Sequence, residues 1–467
     1  MVILSPHFSP ASSYGCRCTA PRWAQHLVAL ATKPCEVWVR RLYSLQVERA
    51  GKSGRIREVL RTVGPGLAIA ATGVGAGDLL AAMLAGASFG TTLVWVIVVG
   101  AALKFGLNEG VARWQLATGT TLLEGWCRYL GWPLKAYFLV YLVLWSFIVA
   151  GGLMSACGVA AHALWPVLSI RTWGIVHSLV ALALVAAGRY VLFENVMKLM
   201  IGLMTLTLVV SVTIVGPDLG SVLRGLVPTL PPGSAGATLS LMGGVGGSVT
   251  LLAYGYWIRE KGWRSKDSLG LVRIDLTVGY VLTGLFGIAM LLLAAAVLGG
   301  SGGLPEGSAG LIACGDAIRD ATTQRFGATA GAAGGMVFLV GVWGAIFTST
   351  LGVWNGVPYI FADFLNALRG SFGEKVNTTG VVYRGFLLFL AFPPMVLLFL
   401  DRPIWVIKVY TLTGGLFMPL LAGTLLWLNS RHSLVGEMRN RFAATGTLVL
   451  ALVLFALIAM RQLADIL

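Results

Sequence analysis

The sequence predicts an all-α polytopic membrane protein of about eleven transmembrane helices, with the first and sixth broken. Three observations predict it. The 467 residues are 57% hydrophobic and only 11% charged, whereas soluble domains carry about 25% charged residues. Apolar runs of about 20 residues recur along the chain, each long enough to cross a bilayer as a helix. Two of these runs, whose starts lie five spans apart, hold glycine clusters: Gly73-Val74-Gly75-Ala76-Gly77 and Gly243-Gly244-Val245-Gly246-Gly247. Glycine destabilises a helix interior by about 1 kcal/mol relative to alanine. Non-helical backbone at membrane depth is tolerated only where it lines a cavity or is buried in protein. Paired interruptions at corresponding places point to an inverted-repeat transporter with a site near the midplane.

In chain order, residues 1–63 hold ten Lys and Arg against three acids, Glu36, Glu48 and Glu58. They read as a basic cytosolic tail without a signal-peptide pattern. The transmembrane domain, 64–467, has spans at roughly 64–88, 91–114, 135–160, 170–188, 193–215, 237–258, 272–298, 330–355, 384–400, 404–428 and 443–461. With the N-terminus inside, the inner segments carry 26 Lys and Arg and the outer ones six. The positive-inside rule is thereby satisfied. It also accounts for the net charge of +15 without a nucleic-acid partner. The expected setting is a plasma (inner) membrane, with the bilayer as partner and the chain a monomer. Loops near 216–236 and 299–329 are external. No GxxxxGK[ST] and no appended soluble domain suggest nucleotide use. The six cysteines form no zinc or disulfide framework.

The glycine run of the first span ends at Asp78. An ionisable residue at this depth is a functional-site candidate by default. The bland alternative is a packing helix whose acid pairs with a structural cation. As a cation ligand, Asp78 would be joined by carbonyls freed at Gly75 and Leu251 and by the hydroxyls of Thr72, Ser248 and Thr250. Lys104 lies midway through the second span, too deep to reach the interface easily, so it pairs with Asp78 or Glu109 or faces a watery cavity. Glu109 and Arg113 are spaced for an i,i+4 pair. Thr348 and Asn355 in the eighth span, and Thr411 and Thr413 in the tenth, could line a pathway. Gly414-Gly415 permits a kink beside them.

Gly64-Pro65-Gly66, Ala85-Gly86-Ala87-Ser88-Phe89-Gly90, Leu93-Val94-Trp95 and the stretch through Arg113 to Ala117-Thr118-Gly119 resemble the first two spans of the Nramp divalent-metal transporters. The resemblance implies a LeuT-type fold: two inverted five-helix repeats, about 64–215 and 237–428, and an extra helix at 443–461. It implies a divalent metal ion as substrate, with no cofactor. The motifs depart from the family pattern. Gly75-Ala76-Gly77-Asp78 stands where the family has Asp-Pro-Gly-Asn, and Thr250-Leu251-Leu252 where it has Met-Pro-His. Without the soft thioether, selectivity shifts toward harder ions such as Mg²⁺. The third span, Ala150 to Gly158, lacks the acids that the family links to protons. In these features the chain leans toward the Nramp-related magnesium transporters.

The first reading is therefore a secondary transporter or uniporter for Mg²⁺ or Mn²⁺, working by alternating access around Asp78. The second is a LeuT-fold carrier of a small organic solute such as an amino acid. A membrane enzyme ranks last, because no convergent acid, base and nucleophile set is present.

Overall fold

The computed structural model describes residues 65–187, 190–216, 218–299 and 307–464. The predicted basic tail lies outside the described residues. Every described element is a helix, and the two glycine clusters do break their spans. The first span is α1 (Pro65–Gly73) and α2 (Ala76–Phe89). The sixth is α9 (Ala235–Gly244), a 3₁₀ turn (Val249–Ala253) and α10 (Tyr254–Glu260). Between them run α3 (Val94–Thr118), the short α4 (Leu122–Tyr129), α5 (Trp132–Leu164), α6 (Ile170–Ala186), α7 (Tyr190–Val215) and the short α8 (Leu219–Gly225). After them come α11 (Leu269–Leu298), α12 (Ala309–Phe326), α13 (Ala328–Leu368), α14 (Val381–Ala391) with a 3₁₀ extension (Pro393–Leu400), α15 (Pro403–Gly415), α16 (Phe417–Asn429), α17 (His432–Val435) and α18 (Phe442–Ala464).

Among the described residues, nine helical segments are long and apolar enough to span a membrane, and two shorter apolar helices, Gly77–Phe89 and Ile170–Ala186, accompany them. The first span is not among the nine because its break leaves halves of 9 and 14 residues. The chain is thus an all-helical, multi-pass membrane protein.

The break in the sixth span is enforced by backbone geometry. Gly246 and Gly247 stand at φ +73° and +83°, a region that costs other L-residues about 1–2 kcal/mol each. The tenth span is interrupted at Leu416, between α15 and α16 and next to Gly414-Gly415. The eighth span is longer than its apolar run suggested: α13 is a 41-residue helix that continues to Leu368. Four helices, α4, α8, α12 and α17, fall where the sequence reads as loop. α4 opens on a capping box, in which Thr121 Oγ1 accepts from Glu124 N and Glu124 Oε2 accepts from Thr121 N, satisfying two amides left free at a helix start. α12 is too polar for an apolar period and packs along α13.

The broken helices sit innermost. α1 packs against α11 and α13, α2 against α11 and α9, and α9 against α15. Of these nine segments the sixth span is the most enclosed, with 83% of its most apolar stretch buried, whereas α18 has 22%.

Candidate functional site

The two breaks meet. A Cβ on Gly73 would lie 2.5 Å from the backbone of Gly246, so the first and sixth spans cross by direct backbone contact. Asp78 lies in the first turn of α2 rather than in the unwound residues. The positive end of that helix favours its carboxylate. The side chain is buried, 1% exposed, and reaches across to the sixth span, where Oδ2 accepts from Gly246 N at 3.1 Å. Its other oxygen, Oδ1, has no hydrogen-bond partner among the described residues. A Cβ on Gly244 would lie 3.1 Å from that oxygen and 2.9 Å from the Gly77 carbonyl. Only glycine allows this approach.

Lys104 is also wholly buried. It forms no direct ion pair with Asp78 or Glu109, the two partners expected of it. Its ammonium donates to Gly243 O at 2.7 Å and to Gly247 O. Asp78 and Lys104 nevertheless bind the same stretch of the sixth span, the carboxylate at the Gly246 amide and the ammonium at the Gly243 and Gly247 carbonyls. Glu109 instead holds two arginines: Arg113, as the i,i+4 spacing indicated, and Arg273 at 2.8 Å. Arg113 donates onward to Asn440 Oδ1 at 2.9 Å, tying α3 to the segment before α18.

The remaining sequence candidates divide. The Thr72 carbonyl, freed by the break, accepts from Ser349 Oγ at 2.6 Å, and the neighbouring Ala71 carbonyl accepts from Thr348 Oγ1 at 3.3 Å. The Thr72 hydroxyl is turned to its own helix, donating to Ala68 O at 2.6 Å. The Gly75 carbonyl accepts from Leu79 N at 3.0 Å and so belongs to α2. Its α-carbon abuts the Ser349 side chain. Thr250 and Leu251 sit in the 3₁₀ turn one step beyond the break, where the Leu251 carbonyl accepts from Tyr254 N. The freed carbonyls of the sixth span are instead those near Gly243 and Gly247. Thr250 Oγ1 lies against Gly247, and Ser248 lies against Gly414. Thr411 bonds Lys408 O and Ser240 Oγ, and Thr413 bonds Val409 O and Tyr410 O. Asn355 lies away from this crossing, with Tyr256, Tyr359 and Tyr383 around a cavity of about 450 Å³.

Two aromatic residues complete the crossing. Tyr280 packs its ring on Gly246 and accepts at its hydroxyl from Asn108 Nδ2 at 3.3 Å. Tyr410 places its hydroxyl against Gly77. Asn108, one turn after Lys104, was the available sequence signal for this polar face. Tyr280 gave none.

A second strut joins the same helices lower in the bundle. Buried Asp275 accepts at Oδ2 from Gly66 N at 2.5 Å and from the Tyr254 hydroxyl at 2.8 Å. It therefore caps the start of α1 while holding the start of α10 in the sixth span.

A sequence model of the family described as natural resistance-associated macrophage protein-like, Nramp, matches residues 66–465. An uncharacterised protein of Pasteurella multocida is 26% identical over 253 residues, 51% of this chain and 57% of that protein. An uncharacterised membrane protein of Bacillus subtilis, YcsG, is 24% identical over 231 residues, 49% of this chain and 51% of that protein. The chain thus spans about half the length of each of these relatives. The crystal structure of a manganese transporter from Eremococcus coleocola superposes with a TM-score of 0.67 at 14% identity, over 88% of this chain and 87% of that one. At that identity the likeness is one of fold.

Proposed function

The chain belongs to the Nramp family, as a divergent transporter of LeuT-like fold and not an enzyme, and from that premise we propose that it carries a divalent metal cation, Mg²⁺ or Mn²⁺, by alternating access around Asp78. The observation that carries the reading is the Asp78 carboxylate: buried between two helix breaks, held at Oδ2 by one amide and without a partner at Oδ1 among the described residues. An unsatisfied buried charge costs several kcal/mol, and a cation at Oδ1 would offset that cost. Further oxygens would come from the carbonyls at the first break and from Ser349 and Ser248. An all-oxygen site suits a hard ion that keeps some of its waters. The relative described as a manganese transporter supports a metal of this charge. Two inverted five-helix repeats, about 64–215 and 237–428, would rock about the crossing, as in other carriers with paired broken helices. The basic loops then face the cytosol, and the chain works as a monomer in the plasma (inner) membrane.

The test is proteoliposome flux of Mg²⁺, Mn²⁺ and Ca²⁺ with internal pH recorded, in wild type and Asp78→Asn. Flux of a divalent ion that disappears in the variant is expected. The absence of protein-dependent divalent flux would overturn the metal reading and favour a small zwitterion, whose two charges would match Asp78 and Lys104.

A further inference from the structure

The buried ammonium beside Asp78 has a specific seat. α9 ends at Gly244, so its last carbonyls carry the negative end of the helix dipole. Lys104 Nζ binds Gly243 O, in the last turn of α9, and Gly247 O, in the stretch held open by positive φ. Neutral oxygens released by a helix break are what unwound backbone offers a cation in a broken-helix carrier. Here α3 supplies that cation on a covalent stem. Asp78 takes the amide of Gly246 in the same stretch. One five-residue run thus holds a cation on its carbonyls and a carboxylate on its amide, and the two charges compensate without a direct ion pair.

We infer that Lys104 is a tethered cation that determines specificity. Its ammonium fills the carbonyl position at the end of α9 and bars free alkali or ammonium ions from it. Asp78 Oδ1 is left as the charged position open to the cargo. The fixed positive charge also holds down affinity for the cargo, so that the ion is released rather than trapped. This deepens the Asp78 reading and rests on it for the metal, while the claim about the carbonyl position is tested separately.

Two variants decide it, with Mn²⁺ and methylammonium as probes of the purified full chain. Removing the side chain in Lys104→Ala vacates the carbonyl seat of Nζ and the space of its stem, and methylammonium is a cation small enough to enter it. Methylammonium should therefore raise the melting temperature of this variant saturably while leaving wild type unchanged. If Lys104→Ala is recovered folded only when purified in methylammonium, that supports the inference equally. No effect of methylammonium on a folded Lys104→Ala overturns it. In Lys104→Gln the charge is lost and a donor kept, and the Kd for Mn²⁺ should fall at least ten-fold. A Kd equal to or above that of wild type overturns the role in affinity, because a purely structural cap would not tighten binding when removed. If neither variant folds, Lys104→Arg keeps the charge and should bind Mn²⁺ within three-fold of wild type; a ten-fold shift overturns the inference. Mn²⁺ binding lost in Asp78→Asn but unaltered in Lys104→Gln would refute the Lys104 role alone. No Mn²⁺ binding by wild type, Asp78→Asn or Lys104→Gln would refute the Asp78 reading, and the methylammonium result would still decide the carbonyl seat.

Discussion

Gly246→Ala tests whether the crossing of the two breaks is built as described. Gly246 stands at φ +73°, and a Cβ there would overlap the Tyr280 ring. Alanine in the left-handed region costs about 1–2 kcal/mol. Overpacking against a buried ring adds about 1–3 kcal/mol. If Tyr280 moves, its bond from Asn108 is lost, worth about 0.5–1.5 kcal/mol. The sum is about 2.5–6.5 kcal/mol. Gly262 is the control: its φ is +77°, but nothing lies within 4 Å of a Cβ there, so Gly262→Ala should cost only the backbone term of about 1–2 kcal/mol. The smaller unfolded-state effect of replacing glycine is common to both and cancels in the difference. Reversible unfolding in mixed detergent micelles would compare the two variants. A Gly246→Ala variant no less stable than Gly262→Ala would refute the packing of Tyr280 on the break.

Other expected outcomes follow from the same contacts. Gly75→Ala drives a methyl into Ser349, so Ser349→Gly should restore part of the loss, with a coupling of about 1 kcal/mol or more in a double-mutant cycle; strict additivity would contradict the contact. Asp275→Ala removes the acceptor for Gly66 N and the Tyr254 hydroxyl. Hydrogen exchange should then speed up at the start of α1 while α18 is unchanged, and unaltered protection at α1 would contradict the strut. Glu109→Gln leaves Arg113, which is 5% exposed, without its charge partner, and should destabilise by about 3 kcal/mol. Arg273→Ala removes a partner that is 56% exposed and should cost under about 1 kcal/mol. Equal losses in the two variants, measured by the same unfolding assay, would contradict the difference in burial.

What could be read in the sequence was whatever local chemistry determines. Clustered glycines marked both breaks, and Asp78 and Lys104 stood out as lone charges in apolar runs. Their partners could not be read, because the Lys104 acceptors lie 139 and 143 residues away in the chain. Aligning Thr250-Leu251 with a family motif points to the 3₁₀ turn just after the break, whereas the positive-φ glycines Gly246 and Gly247 set the break itself. The eighth span reads from the sequence as about 330–355, whereas α13 continues to Leu368. Asp363 is tolerated there only because Thr121 Oγ1 and the Tyr256 hydroxyl, from two other elements, donate to it at 2.7 and 2.9 Å. α12 lacks an apolar period, and its place comes from packing on α13. Hydroxyls were the least informative residues. Thr72, Thr411 and Thr413 satisfy carbonyls of their own helices, a use that the sequence does not distinguish from ligation.

An anomalous-difference map from crystals of the full chain grown with Mn²⁺ tests directly whether the cargo ion sits on Asp78 between the two breaks. One strong peak is expected at coordination distance from Asp78 Oδ1, about 2.0–2.6 Å for a hard cation on oxygen, with no such peak in Asp78→Asn. A peak at another site, or one that persists in Asp78→Asn, would contradict that placement.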